Sequence, residues 1–176
     1  TVLQLAGRHV YISDSCNACH SQLIRPFKSE TDRYGMYSVS GEFAYDRPFL
    51  WGSKRTGPDL ARIGNYRSVD WHENHMKDPV SVVPGSIMPA YVHMFNKNAD
   101  IETAYAEAVT VKKVFNVPYD MEGMPKLGSW EEAQAEVRAE AEAIVSQMKD
   151  QDVKDAFARG EIRQIVALIA YLNSLK

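Results

Sequence analysis

Two cysteines and a histidine near the N-terminus have the types and the spacing for a specific chemistry. Cys16, Cys19 and His20 form a Cys-x-x-Cys-His motif, and the chain contains no other cysteine. Two thiols at this spacing can each add to a vinyl group of haem, and the adjoining imidazole is then placed to bind the iron. The motif therefore predicts one covalently bound haem c, with His20 as an axial ligand of the iron.

Two other uses of a Cys-x-x-Cys pair compete with this interpretation. A thioredoxin-like dithiol would lie in a β-α-β pattern, and no such pattern surrounds Cys16. A zinc site could combine both cysteines with His72 and His75, but the His-x-x-His spacing is shorter than zinc sites usually have. We therefore interpret His72 and His75 as members of a solvated helix face.

A haem that transfers electrons needs a second axial ligand, and methionine raises its reduction potential relative to a second histidine. Met88 lies in the segment Gly85-Ser-Ile-Met-Pro-Ala90, where Pro89 prevents regular hydrogen-bonded structure and favours a rigid loop. A ligand should lie on such a held segment. We predict Met88 as the sixth ligand, with Met124, which also precedes a proline, as the alternative.

Pro58 is the candidate partner of the histidine ligand. It lies in the segment Thr56-Gly-Pro-Asp-Leu60. A proline carbonyl has no N–H of its own beside it, and it can accept the Nδ1–H of His20, which would fix the orientation of the ring and tune the iron. Without the cysteine motif, the same residues would be interpreted as an ordinary turn.

The periodicity of apolar residues predicts an all-α fold with long loops, and no segment has a convincing strand pattern. Ser129 and Glu132 form a capping box, and Ile165, Ile169 and Leu172 define the apolar face of a terminal core helix. The helices are predicted at residues 2–15, 68–77 (capped by Ser68), from Asn98 or Asp100 to 115, 129–149 and 161–175. The stretches 22–65 and 80–95 are predicted to be irregular.

Composition limits the domain organisation and the partners. The chain has 176 residues, of which 45% are hydrophobic, so we expect one folded domain over residues 1–176. Within it we expect a haem core at about 1–95 with the helix 161–175, and a helical insertion at about 120–155. The net charge of −3 and the lack of a basic stripe argue against nucleic-acid binding. The longest apolar run, 165–172, is too short to span a bilayer.

The order of these motifs resembles that of class I cytochromes c. Residues 4–95 are similar, more specifically, to the mono-haem subunit of cbb3-type cytochrome c oxidases. The run from Pro48 to Arg62 is long and is not needed for haem binding itself, which makes the similarity specific. The motifs that carry it include Gln4-Leu-Ala-Gly-Arg8, Cys19-His-Ser-Gln22, Ile24-Arg-Pro-Phe27, Arg33-Tyr-Gly35, Pro48 to Arg62 and Met88-Pro-Ala-Tyr91.

The resemblance implies a membrane-anchored subunit whose haem domain lies on the periplasmic face of the bacterial cytoplasmic membrane. It implies electron transfer from a donor c-type cytochrome to the haem–copper catalytic subunit, which reduces O2, so this chain would not be catalytic alone. It also implies that the haem is carried by the Cys-x-x-Cys-His motif and Met88. Because the chain begins at Thr1, we expect that an N-terminal anchor or a signal peptide has been removed.

Other functions remain open at this point: a free soluble periplasmic electron carrier, a haem-based gas sensor with a displaceable sixth ligand, or a zinc-bound module without haem. The segment from about Asp120 to Asp155 lies outside the resemblance, and we interpret it as a solvated helix or, alternatively, a partner-docking helix. Many aromatic residues lie among charges between Arg25 and Trp51. We expect them to form a docking surface for the catalytic subunit, because aromatic residues are enriched in interface cores.

Overall fold

A computed structural model describes all 176 residues and shows an all-helical fold without β-strands, as the sequence predicts. None of the helices is both long enough and apolar enough to cross a lipid bilayer. The α-helices are α1 Val2–Ser13, α2 Lys28–Tyr34, α3 Val69–Lys77, α4 Pro79–Val82, α5 Ile101–Phe115, α6 Trp130–Val145, α7 Gln151–Ala158 and α8 Gln164–Ser174. Short 3-10 helices lie at Cys16–Ala18, Ser40–Phe43, Ile63–Asn65 and Val92–Phe95.

The first and last long helices form the centre of the fold. α8 is buried from Ile165 to Leu172, so its apolar run packs into the protein core. Gly7 of α1 lets the two backbones approach closely, because a β-carbon at this position would lie 1.9 Å from the carbonyl oxygen of Ala167. Tyr11 and Tyr171 then meet edge to face, with ring centroids 5.4 Å apart. This pair of helices supports the segment that carries the cysteines.

Three helix starts follow from local capping and agree with the sequence. The Ser68 hydroxyl accepts the N–H of Trp71, and Ser129 and Glu132 form the expected capping box. Asp100, rather than Asn98, caps α5. Two other helix boundaries differ from the prediction. α6 stops at Val145 instead of about residue 149, and α8 begins at Gln164 instead of about residue 161.

Three short α-helices, α2, α4 and α7, have no counterpart among the predicted helices. α2 falls in the stretch predicted to be irregular, and its buried residues are Glu30 and Tyr34, so tertiary contacts stabilise it more than an apolar stripe does. α7 has a local sequence signal at its start, because the side chain of Asp150 accepts the N–H of Val153 as an N-cap. Pro79 does follow the end of α3, but it also occupies the first position of the short α4.

The segment at about 120–155 is part of the core rather than a fully solvated helix. The inner face of α6 is buried and belongs to the same hydrophobic cluster as α1 and α8. At the start of α1, Thr1 Oγ1 and Gln4 Nε2 donate hydrogen bonds to Glu140 of α6, over 2.6 and 3.0 Å. The interpretation of α6 as a solvated helix is therefore wrong for one of its faces. High helix propensity and packing act together there.

Candidate haem site

A tight turn places the cysteine motif at the end of α1. Ser15 adopts the left-handed conformation with φ 57°, which ends the helix and starts the 3-10 turn Cys16–Ala18. The N–H of His20 then donates to the carbonyl of Cys16 over 3.0 Å. Both cysteines are free thiols, with Cys16 buried and Cys19 exposed. The turn therefore presents two thiols and an imidazole within one short segment.

The state of Cys16 argues against a dithiol redox enzyme. Burial raises the pKa of its thiol to about 12, and the nearby charge of Asp14 acts in the same direction. Reactive cysteines of thiol–disulfide enzymes have a lowered pKa, because the thiolate is the nucleophile. This finding supports the rejection of the thioredoxin-like alternative.

The imidazole of His20 is held by the opposite loop. Its Nδ1 lies 2.7 Å from the carbonyl oxygen of Pro58. Because a carbonyl oxygen only accepts, Nδ1 carries the proton and Nε2 keeps its lone pair, for which the structure provides no hydrogen-bond donor. Burial lowers the pKa of His20, which favours the neutral ring. A neutral imidazole with a free Nε2 is the form that binds a metal ion.

Gly57 forms a cradle for this ring. A β-carbon at this position would lie 2.2 Å from Cε1 of His20 and 2.7 Å from each ring nitrogen. The loop around it runs alongside the cysteine motif, since Gly57 donates its N–H to Cys19 over 2.9 Å and Leu60 donates to Ser21 over 2.8 Å. The ring is thus held by the position of this loop and by the absence of a side chain at Gly57.

Asp59 anchors this loop from inside the protein. It is only 1% exposed, and its carboxylate accepts hydrogen bonds from Ser21 Oγ at 2.6 Å and from the N–H groups of Leu23 and Ala61 at 2.9 and 2.8 Å. The sequence motifs predict Pro58 at the site but indicate no role for Asp59. Its position directly after a Gly-Pro pair is the signal that could have identified it.

Arg55 connects Asp59 to a second buried carboxylate. Its guanidinium donates to Glu30 at 2.8 Å and lies 3.5 Å from Asp59. The hydrogen bond from Arg55 is the main reason that the pKa of Glu30 falls to about 2, and Arg25 adds to the effect. Arg55 lies in the specific run from Pro48 to Arg62, and the structure gives part of that run a role in holding α2 against the loop of Pro58.

The two candidate methionines differ in their surroundings. Met88 is half-buried and packs against the main hydrophobic cluster, and its N–H donates to Ser86 Oγ over 3.2 Å. Met124 is 48% exposed, in the loop between α5 and α6. Of the other methionines, three are buried in the core and two are exposed: Met76, Met94 and Met148, and Met36 and Met121, respectively. Met88 is therefore the methionine that packs against the core and is still partly accessible.

The expected solvated face of α3 is not what the structure shows for His72. This side chain is 1% exposed, neither ring nitrogen has a hydrogen-bond partner, and burial lowers its pKa to about 4. His75 is half-buried and stacks on Trp71, with ring centroids 4.4 Å apart. The structure assembles no group of three or more His, Cys, Asp or Glu side chains around a metal position, so the Cys2His2 zinc set is not formed.

The residues at this site fit a haem. Two free thiols and an oriented imidazole lie in one turn, and the glycine cradle leaves the ligating nitrogen unobstructed. An all-α fold with this arrangement defines the protein as one with a cytochrome c-like fold. The chain matches over residues 1–176 the family described as cytochrome c oxidase, mono-heme subunit/FixO, and it belongs to this family.

The family membership gives the broad function: a mono-haem subunit of cytochrome c oxidase, with one haem, that takes part in electron transfer. The match includes residues 120–155, which the sequence motifs did not cover. A comparison with curated proteins found no match.

Proposed function

We propose that this chain binds one haem c covalently through Cys16 and Cys19, with His20 and Met88 as axial ligands. We further propose that it passes electrons from a donor c-type cytochrome to the haem–copper subunit of a cbb3-type terminal oxidase. The observation that carries this is the 2.7 Å contact between His20 Nδ1 and the Pro58 carbonyl, which leaves Nε2 free beside two thiols. When bound, the haem iron supplies the one-electron couple.

The protein's own residues set the properties of the first ligand. The proton on Nδ1 of His20 is held by Pro58, so the ring cannot turn and Nε2 is the ligating atom. The cradle at Gly57 and the buried carboxylate of Asp59 fix the loop that supplies this carbonyl. A ring that is already held in this orientation would need little reorganisation to bind a haem iron.

Packing favours Met88 over Met124 as the second ligand. The N–H of Tyr91, three residues after Met88, donates to the carbonyl of Met76 over 2.8 Å, so the segment is tied to α3. Next to Met124, hydrogen bonds close the loop on itself, from the N–H of Met124 to the carbonyl of Met121 and from the N–H of Asp120 to the carbonyl of Pro125, both over 3.0 Å, and the Met124 side chain stays exposed. A ligand on a restrained segment stays on the iron longer, because its binding costs less conformational entropy.

Exposed aromatic rings support the proposed contact with the catalytic subunit. Phe49 and Trp51 stack with ring centroids 4.4 Å apart, and both are accessible to solvent. Phe27, Tyr37 and Tyr45 of the same segment are also exposed, whereas Tyr34 and Phe43 are buried. Aromatic side chains that remain exposed together are typical of protein interfaces.

We place the chain on the periplasmic face of the cytoplasmic membrane, attached by an N-terminal anchor.

The test of the ligand set is spectroscopic. The purified holoprotein should show a covalent haem spectrum and the weak near-infrared band of methionine bound to ferric iron. Met88→Ala should abolish that band, and Met124→Ala should leave it unchanged. Loss of the band in Met124→Ala alone would identify Met124, rather than Met88, as the sixth ligand. A colourless protein from a host that attaches haem would refute the proposal.

The test of the partner uses the complete oxidase complex. Phe49→Ser should lower the amount of this chain that purifies with the catalytic subunit, because it removes half of the stacked pair. Tyr66→Ser removes a similarly exposed ring, 48% against 51% exposed, outside the segment, and it should have no effect. Equal retention of both variants would favour a free electron carrier. Rapid displacement of methionine by CO in the reduced protein would favour a gas sensor.

A further inference from the structure

An acidic and a basic side chain join the two segments that carry the proposed iron ligands. Nε2 of His93 lies 3.0 and 3.3 Å from the two carboxylate oxygens of Asp14. Asp14 is the C-cap residue of α1, two positions before Cys16. His93 lies in the 3-10 helix Val92–Phe95, five positions after Met88. The pair is therefore a direct bridge between the cysteine motif and the methionine segment.

The segment on the His93 side is short and well anchored. Met94 is fully buried, and its N–H donates to the carbonyl of Tyr91 over 3.0 Å. Tyr91 in turn donates to Met76 of α3, so the residues from Tyr91 to Met94 move with the core. Only Pro89 and Ala90 separate this anchored unit from Met88. A displacement of His93 would therefore also displace Met88.

The cysteine motif is close to this unit. Burial raises the pKa of Tyr91, and the carboxylate of Asp14, which lies near the phenol, raises it further. The ring centroids of Tyr91 and His93 are 6.0 Å apart. The bridge thus lies at the place where the two segments meet.

On the basis of the function proposed above, we propose that Asp14 and His93 are positioning residues that hold the Met88 segment against the Cys16–His20 turn. The pair determines how firmly Met88 stays on the iron. Neither side chain touches the reacting atoms, because both lie in the flanks of the ligand segments. The pair acts by restraining the distance between those flanks, so its loss removes one of the restraints on the methionine segment without removing a ligand.

A matched control lies on the same helix. His9 of α1 pairs with Glu107 of α5, which is the same combination of an imidazole and a carboxylate, also partly buried. This second pair ties α1 to α5 and involves neither ligand segment. A general loss of stability should therefore appear in the variants of both pairs. An effect on the methionine should appear only in the Asp14 and His93 variants.

The experiment measures the rate at which added imidazole displaces methionine from the ferric holoprotein, followed by loss of the near-infrared band. Asp14→Ala and His93→Ala should each raise this rate by about twofold to fivefold, the range expected for the loss of one partly exposed contact between side chains. The double variant should be no faster than either single variant, because both remove the same contact. His9→Ala and Glu107→Ala should displace methionine at the wild-type rate.

Two results would overturn the inference, and they are distinguishable. If wild type shows the methionine band but the Asp14 and His93 variants lose it no faster than the His9 and Glu107 variants do, the bridge does not position Met88. If wild type lacks the band, the proposed ligand set itself fails and the inference falls with it. Thermal unfolding of all four single variants identifies any that fail to fold, and the surviving member of each pair gives the comparison.

Discussion

Gly57 lies so close to His20 that a β-carbon on it would be 2.2 Å from Cε1 of the imidazole ring. The backbone of the loop and the face of the ring are therefore in direct contact, and the carbonyl of the next residue, Pro58, accepts a hydrogen bond from the Nδ1–H group. The absence of a side chain at position 57 is thus a requirement of the ligand geometry. Glycine is needed here for close approach and not for a left-handed turn.

Gly57→Ala should disturb the site more than an ordinary loop substitution. The added methyl group must push the imidazole or the loop aside, which we expect to cost about 1–3 kcal/mol of unfolding free energy. The methionine band of the holoprotein should shift or weaken as the ring reorients. Gly41→Ala is the control, because nothing lies within 4 Å of a β-carbon there. Urea unfolding and a near-infrared spectrum of both variants test this, and equal behaviour would contradict it.

The buried carboxylate of Glu30 should make stability depend on acid. Its pKa is about 2 in the folded protein against an ordinary value of 4.5, so its stabilising effect is complete above pH 4.5 and is lost as the pH falls towards 2. Glu30→Gln should lower the unfolding free energy by about 2 kcal/mol at neutral pH, because a charged hydrogen bond to Arg55 is lost. The gap between wild type and variant should close in acid. A gap that stays constant would show that the charge of Glu30 is not the cause.

Glu73 should connect the additional helices to α3. Its buried carboxylate accepts the N–H groups of Lys149 and Asp150, over 2.8 and 2.6 Å, at the junction of α6 and α7. Glu73→Ala leaves both donors unsatisfied, and we expect a loss of about 3 kcal/mol in urea unfolding. Lys149→Met removes only the exposed ion pair with Asp70 and should change stability little. A similar loss in both variants would argue against this connection.

His72 should weaken the folded state as the solution becomes acidic. Its pKa is about 4 in the folded protein against 6.5 ordinarily, so the unfolded chain takes up a proton first as the pH falls from 6.5 to 4. His72→Leu removes two buried nitrogens without partners and should raise the unfolding free energy by about 1 kcal/mol at neutral pH. The stability advantage of His72→Leu over wild type should grow as the pH falls from 6.5 to 4 and then level off. A pH-independent difference would mean that His72 does not remain neutral in the folded state.

The sequence identified the features that depend on neighbouring residues in the chain. The Cys-x-x-Cys-His spacing, the caps at Ser68 and Ser129 and the apolar face of α8 all follow from contacts within one or two helical turns. These local patterns also led to the correct fold class. The family resemblance was limited to residues 4–95, and the match over the whole chain extended it.

Contacts between distant residues decided the rest. α2 is held to the rest of the protein by the contact of Glu30 with Arg55, and the burial of His72 follows from the face that α3 turns to the core. The bridge from Asp14 to His93 spans 79 positions, and neither residue stands out by its neighbours. In a chain of this length, a charged side chain or an imidazole can be accommodated in many different surroundings. Its neighbours in the sequence do not determine which distant group it contacts. The sequence by itself determined the all-α class, the haem-binding motif and the helices with clear caps or apolar faces. Only the folded chain decided the short additional helices and which polar groups are buried together, because those features depend on the packing of the whole core.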